Sequence, residues 1–341
     1  MKILVTGGAG FIGTNLVNHL FHKYQDCEIV VLDALTYAGN LENFSQDIAG
    51  SARFTFWRGD VCNTDLVMDL VSSVDAVIHL AAETHVARSI YEDRKFFMTD
   101  VMGTQSVANA VLRNRDRIYR FIHVSTSEVY GSALSETIAE DHAINPANPY
   151  AAAKAGADRL VYSYRQTYGI PAVILRPFNQ YGPYQHLEKV IPRFITSALL
   201  DEPLTIHGTG GPVRDWLYVE DTCDRIDKVL HAPKNLVEGE VFNLGSGFAL
   251  DILNVARMVL GCLDKPRSLV THIEDRPGQV NSQISCSDKA NKVLNFEEGR
   301  SFEEGLAQTI HWYSENRRWW ERMLPMRRVP IRVKNGKTEY Y

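Results

Sequence analysis

Short apolar runs recur through the first half of the chain: residues 3–5, 29–32, 54–56, 76–79, 121–124 and 172–175. They are rich in β-branched residues and do not alternate with polar ones. Each therefore reads as a strand buried on both faces, as parallel strands are. The longer stretches between them predict helices near 12–24, 65–72, 89–114 and 150–168. This βαβ rhythm places the chain in the α/β class, with a doubly wound parallel sheet.

The rhythm changes after Arg176 and Pro177. Five prolines (177, 183, 192, 203 and 212) and the turn Gly208–Gly211 punctuate the start of the second half. Shorter elements are expected there: helices near 188–200, 219–232, 251–263 and 301–317, and a strand near 204–207. We read them as a smaller α/β lobe over the carboxyl edge of the sheet, where open sheets bind ligands.

Composition narrows the class. An apolar share of 45% and a charged share of 23% fit a soluble globular protein. The net charge is −5 and no basic stripe points to nucleic acid. The basic tail (Arg327, Arg328, Arg332, Lys334 and Lys337) is expected to be a solvated terminus rather than an anion-binding arm. The five cysteines have no metal-like spacing, so they are expected as buried thiols in a reducing cytoplasm. No apolar run is long enough to span a membrane, and residues 2–6 read as a strand rather than a signal peptide.

Candidate chemistry begins at Gly7. The spacing Gly7, Gly10, Gly13 follows the first strand and opens a helix that also carries Phe11 and Ile12. Glycines there permit a tight turn, backbone approach to a pyrophosphate, and close helix–strand packing. Asp33 ends the second strand, 20 residues past Gly13. A carboxylate there accepts hydrogen bonds from ribose hydroxyls and repels a 2′-phosphate. No Arg or Lys follows within ten residues, so NAD is favoured over NADP. Asp60 and Val61 are expected beside the adenine, and the small residues after Leu80 (Ala81, Ala82) beside the cofactor phosphates and nicotinamide ribose.

Tyr150 and Lys154 are four apart and share a helix face. A nearby ammonium favours the phenolate, which then takes a proton from a sugar hydroxyl. Thr126, at the end of the fifth strand, is placed to hydrogen-bond the reacting oxygen. Ser127 and Glu128 follow it, and Glu128 is the candidate for a second base.

With these residues the chain resembles an extended short-chain dehydrogenase/reductase acting on nucleotide sugars. Residues 36–41, 79–86, 181–185, 188–192, 214–221 and 275–278 make it most similar to dTDP-glucose 4,6-dehydratases. The resemblance implies NAD, a nucleotide-diphosphate sugar and a homodimer built on the helices near 89–114 and 150–168. It implies C4 oxidation, elimination of water across C5 and C6, and hydride return to C6, with Glu128 as the C5 base. The resembled enzymes carry Asp at the position of Ser127. Thr-Ser-Glu also occurs in families resembling GDP-mannose 4,6-dehydratases, which keeps elimination open, and in UDP-glucuronate decarboxylases, so that decarboxylation, or C4 epimerisation, is the alternative. A non-catalytic NAD-binding scaffold is the reading from another class. Asp100 stands where the wider family usually has Asn.

Lys189, Arg214 and Arg276 are the candidates for phosphate or base contacts, with Arg193 less certain. Asn179 is the candidate for a sugar hydroxyl or phosphate, Asn243 for the nucleotide, and His85 is a cleft residue without an assigned role. His79 and His123 lie in apolar strands and are expected in the core. The expected division is an NAD-binding domain over residues 1–178, rejoined near 212–245. A substrate lobe over 179–211 and 246–330 and a tail over 331–341 complete it.

Overall fold

The computed structural model describes residues 1–275, 280–296, 299–332 and 337–340. Seven parallel strands form the main sheet. In chain order they are β1 (Lys2–Thr6), β2 (Glu28–Asp33), β3 (Phe54–Arg58), β4 (Ala76–His79), β5 (Arg120–Val124), β6 (Ala172–Pro177) and a last strand, Val241–Leu244. Their spatial order is last strand, β6, β5, β4, β1, β2, β3. The order reverses between β1 and β4, which creates the crevice where such sheets bind ligands.

The first six strands fall where the apolar runs predicted them. β3 departs in one respect, because it is the edge of the sheet. Phe54 and Phe56 pack inward, while Thr55 and Trp57 face solvent, so β3 is not buried on both faces. The seventh strand was not expected, since Asn243 interrupts its short apolar run.

Helices cover both faces. One side carries α1 (Phe11–Lys23); α2 (Gln46–Ala49) is a single turn after β2. The other side carries α3 (Thr64–Ser72) and the segment expected as one helix over 89–114. That segment is broken. It comprises α4 (Val86–Tyr91), α5 (Asp93–Phe96), a π-helical turn (Phe97–Gly103) and α6 (Thr104–Arg113). Glu92, at φ −141° and ψ 87°, interrupts the helical backbone between α4 and α5. α7 (Pro149–Tyr168) packs against the π turn.

α8 (Val190–Leu199) and α9 (Val219–His231) come next. Side chains of α9 and the seventh strand share one core with Ile3 and Leu16. A second core joins Tyr181, Phe194, Trp216 and Leu306 in the smaller lobe. There Val213–Tyr218 pairs with Asn179–Tyr181, Ala249–Asp251 and Ser282–Gln283.

The end of the chain is not a free tail. Arg327 pairs with Glu202 and donates to Ser197 Oγ at 3.2 Å. Pro330–Arg332 pairs with Thr338–Tyr340 and packs against α4. Among the described residues no helix is long and apolar enough to cross a membrane.

Candidate active site

The carboxyl ends of β1, β4 and β5 open onto one cavity of about 490 Å³, walled on the far side by the smaller lobe. Its glycine turn leaves no room for side chains. Gly7 has φ +71°, and a Cβ there would lie 2.7 Å from Ala81 N. A Cβ on Gly13 would lie 2.2 Å from Gly7 O. α1 then begins on Gly10 with no side-chain cap and no acid in its first turn. Its open N–H groups and positive dipole end suit a pyrophosphate.

Asp33 closes the adenosine side. Its Oδ2 accepts from Ala9 N at 3.0 Å and its Oδ1 from Leu35 N at 2.8 Å. Burial raises its proton affinity, and these two N–H groups oppose that rise. Each oxygen keeps lone-pair capacity for a ribose hydroxyl. The residues present therefore fit a dinucleotide with a free 2′-hydroxyl. Phe11, Ile12, Asp60, Val61, Leu80, Ala81 and Ala82 line the same cavity.

The chemistry-bearing residues lie at the opposite end. Thr126 caps the short turn Ser127–Tyr130, its Oγ1 accepting from Glu128 N at 3.2 Å. α7 starts beside this turn because Asn148 caps it: Asn148 Oδ1 accepts from Ala151 N at 2.9 Å and Pro149 takes the first helical position. Tyr150 and Lys154 thus project from the first turns of a long helix, buried to 7% and 3% exposure. Burial pushes the Tyr150 phenol up, and a hydrogen bond with Thr126 pulls it back. Lys154 Nζ donates to Val124 O at 2.8 Å. Burial lowers its proton affinity, and Asp100 is the main group opposing this.

Asn148 was not singled out from the sequence, although an Asn before Pro149 and a helical run is a start signal. Its Nδ2 also donates to Glu128 Oε2 at 3.5 Å. Gln283 was missed too. Its Nε2 donates to Ser127 O at 3.4 Å and Gly131 O at 3.1 Å, so the smaller lobe braces the Ser127–Tyr130 turn. No local signal marks that contact, which spans 156 residues.

His85, before α4, lines the cavity, as do Asn179, Lys189, Arg193 and Arg214 of the smaller lobe. Lys189 Nζ donates to Thr84 O at 2.8 Å. Arg214 donates to Val213 O and Val280 O, both at 2.9 Å. Glu188 ties the two lobes: Tyr37 donates to its Oε1 at 2.8 Å and Arg88 Nε to its Oε2 at 3.1 Å.

Asn243 is a correction. It is fully buried outside the cavity, accepting from Tyr130 OH at 2.8 Å and donating to Ile138 O at 2.9 Å. Its place in the seventh strand turns it into the core. Arg276 lies outside the described residues. His79 and His123 are buried, as expected. Burial lowers His79 to about 3 and holds His123 well below the usual range, so both stay neutral.

The model of the GDP-mannose 4,6-dehydratase family matches residues 4–309. The chain belongs to this family. It is an NAD-dependent nucleotide-sugar dehydratase of the extended short-chain dehydrogenase/reductase type. Within the family it is 41% identical over 325 residues to a dTDP-glucose 4,6-dehydratase of Streptomyces niveus, covering 94% of this chain and 95% of that one. It is 42% identical over 313 residues to the low-salt glycan biosynthesis protein Agl12 of Haloferax volcanii, covering 92% and 98%. The solved dTDP-glucose 4,6-dehydratase DesIV of Streptomyces venezuelae, with NAD bound, superposes with a TM-score of 0.90 at 39% identity. That match covers 95% of this chain and 100% of the other.

Proposed function

We propose that this family member converts a nucleotide-diphosphate hexose into its 4-keto-6-deoxy derivative through one active site. The observation carrying the reading is that Glu128 lines the same cavity as Thr126, Tyr150, Lys154 and the glycine turn. A redox pair alone serves any alcohol oxidation, whereas a carboxylate beside it serves elimination.

Tyr150 takes the C4 hydroxyl proton while Thr126 holds that oxygen and the Lys154 ammonium favours the phenolate. Bound NAD supplies the hydride acceptor for C4 and later the donor for C6. The C4 ketone acidifies the C5 proton, which Glu128 removes. The C6 hydroxyl then leaves as water, its proton coming from Glu128 or through a water relay. Ser127 donates a hydrogen bond to that oxygen in place of a stronger acid. Hydride at C6 and a proton at C5 complete the product; where Glu128 has given its proton to the leaving water, it is reloaded through water in balance with the proton that Tyr150 releases. Lys189, Arg193 and Arg214 bind the diphosphate or base, Asn179 holds a sugar hydroxyl, and His85 contacts the sugar.

The test is incubation with UDP-, dTDP-, GDP- and CDP-hexoses and with UDP-glucuronate, with products read by mass. Loss of water is expected. Loss of carbon dioxide, or an unchanged mass with inverted C4, would replace dehydration by decarboxylation or epimerisation. The Glu128→Gln variant should reduce its bound NAD yet stall before elimination.

We also infer a homodimer on the π turn and α7, where Phe97, Met98, Met102 and Tyr162 are exposed large apolar residues. Equilibrium sedimentation tests this, with Met98→Glu expected to weaken the dimer. Of the five free cysteines only Cys27 and Cys223 are buried as expected, since Cys62 and Cys286 are partly open and Cys262 is exposed; free thiols of this kind suit a reducing cytoplasm.

A further inference from the structure

We propose that Asp100 is a positioning residue of the redox centre, whose charge on Lys154 and Tyr150 decides how readily the phenol ionises. This rests on the role given to Tyr150 above. Asp100 sits in the π-helical turn and is 1% exposed. Its Oδ1 accepts from Glu83 N at 2.8 Å. Its Oδ2 is buried and has no hydrogen-bond partner. Such an oxygen is costly to keep, and π-helical turns are frequent at functional sites. This turn packs on α7, the helix that presents Tyr150 and Lys154.

The electrostatics derive from this placement. Asp100 is the first group that opposes the burial-driven fall of the Lys154 proton affinity. The same carboxylate, with Glu128, adds to the burial-driven rise of Tyr150. Burial lifts Asp100 itself to about 7, with Lys154 and the Glu83 N–H opposing the lift. Other charges around it belong to Glu83, which pairs with Lys95 at 2.7 Å. His79 and His123, on the neighbouring strands, stay neutral. An ionised Asp100 therefore acts in two ways: it helps keep Lys154 charged, and it opposes the Tyr150 phenolate directly, which is its effect on the phenol itself. Oxidation in this chain sets in at higher pH than it would with a neutral amide at that position.

Asp100→Asn tests this, because the amide keeps the shape and its oxygen still accepts from Glu83 N. Two readouts are followed against pH: single-turnover oxidation of the accepted sugar nucleotide, and the phenolate ultraviolet difference between each protein and its Tyr150→Phe counterpart. The second needs no substrate. In Asp100→Asn both should move to lower pH by roughly one unit, about a tenfold gain on the acid limb above pH 7 that closes below it, where Asp100 is itself protonated. Asp100→Glu should keep the wild-type limb, and Asp100→Ser should follow Asp100→Asn if the amide does not fold. Superimposed phenolate titrations of wild type and the neutral variants would overturn the proposal. If no sugar nucleotide is oxidised, the functional reading fails, and the phenolate titration still decides the role of Asp100.

Discussion

Asn148 joins helix stability to catalysis, and the two can be separated. Its Oδ1 caps α7 and its Nδ2 reaches Glu128. Asn148→Ala removes both contacts. Loss of the cap costs about 1 kcal/mol. With an unfolding entropy of about 2 cal/mol/K per residue, that lowers Tm by roughly 1–2 °C for a chain of this length. The contact to Glu128 is long, and a charged hydrogen bond of that kind contributes about 1 kcal/mol. Its loss should slow elimination roughly fivefold. Asn148→Ser keeps a good cap and is too short to reach Glu128. Scanning calorimetry should show wild-type Tm for the serine variant and the deficit for the alanine variant. Rapid quenching with mass detection should show slowed elimination in both, with oxidation of C4 little changed. Full elimination in Asn148→Ser would refute the argument that Asn148 holds the base.

Gly13→Ala places a Cβ 2.2 Å from Gly7 O, so it should abolish NAD binding measured by calorimetry, and wild-type affinity would show that the turn can relax. Asp158→Asn strips the charge partner from buried Arg176, whose Nε donates to Asp158 Oδ2 at 2.9 Å, and should cost about 3 kcal/mol in denaturant unfolding. Asp227 pairs with His231 at 2.8 Å and raises its proton affinity, so His231 is raised in the fold. That contribution is complete below the unfolded pKa of about 6.5 and is lost as pH rises through the folded value. Tm should therefore fall as pH rises from about 6.5 through the raised folded value, and the fall should shrink in His231→Gln; an unchanged slope would exclude this pair as its source.

The local signals in the chain were sufficient to place the strands of its first half. Apolar runs of residues such as Ile29–Leu32 are strands in any context that buries them. The Gly7–Gly13 spacing works through the conformation of a single turn, and Tyr150 with Lys154 needs only one helix to share a face. Gly7, Asp33, Asp60, Leu80 and Thr126 reach the cavity for that reason: each lies at or just past the carboxyl end of a strand whose direction is set by the βαβ rhythm.

What the tertiary structure alone decided depends on contacts between distant segments. The seventh strand carried Asn243 into the core, although the glycine-rich residues after it resemble a cleft loop. Gln283 reached the Ser127 turn from the other lobe. The helix expected over 89–114 broke at Glu92, and its π turn brought Asp100 against the helix of Lys154. Periodicity along a chain specifies which face of an element is apolar. The meaning of a buried charge depends on what stands opposite it, and only the packed elements supply that.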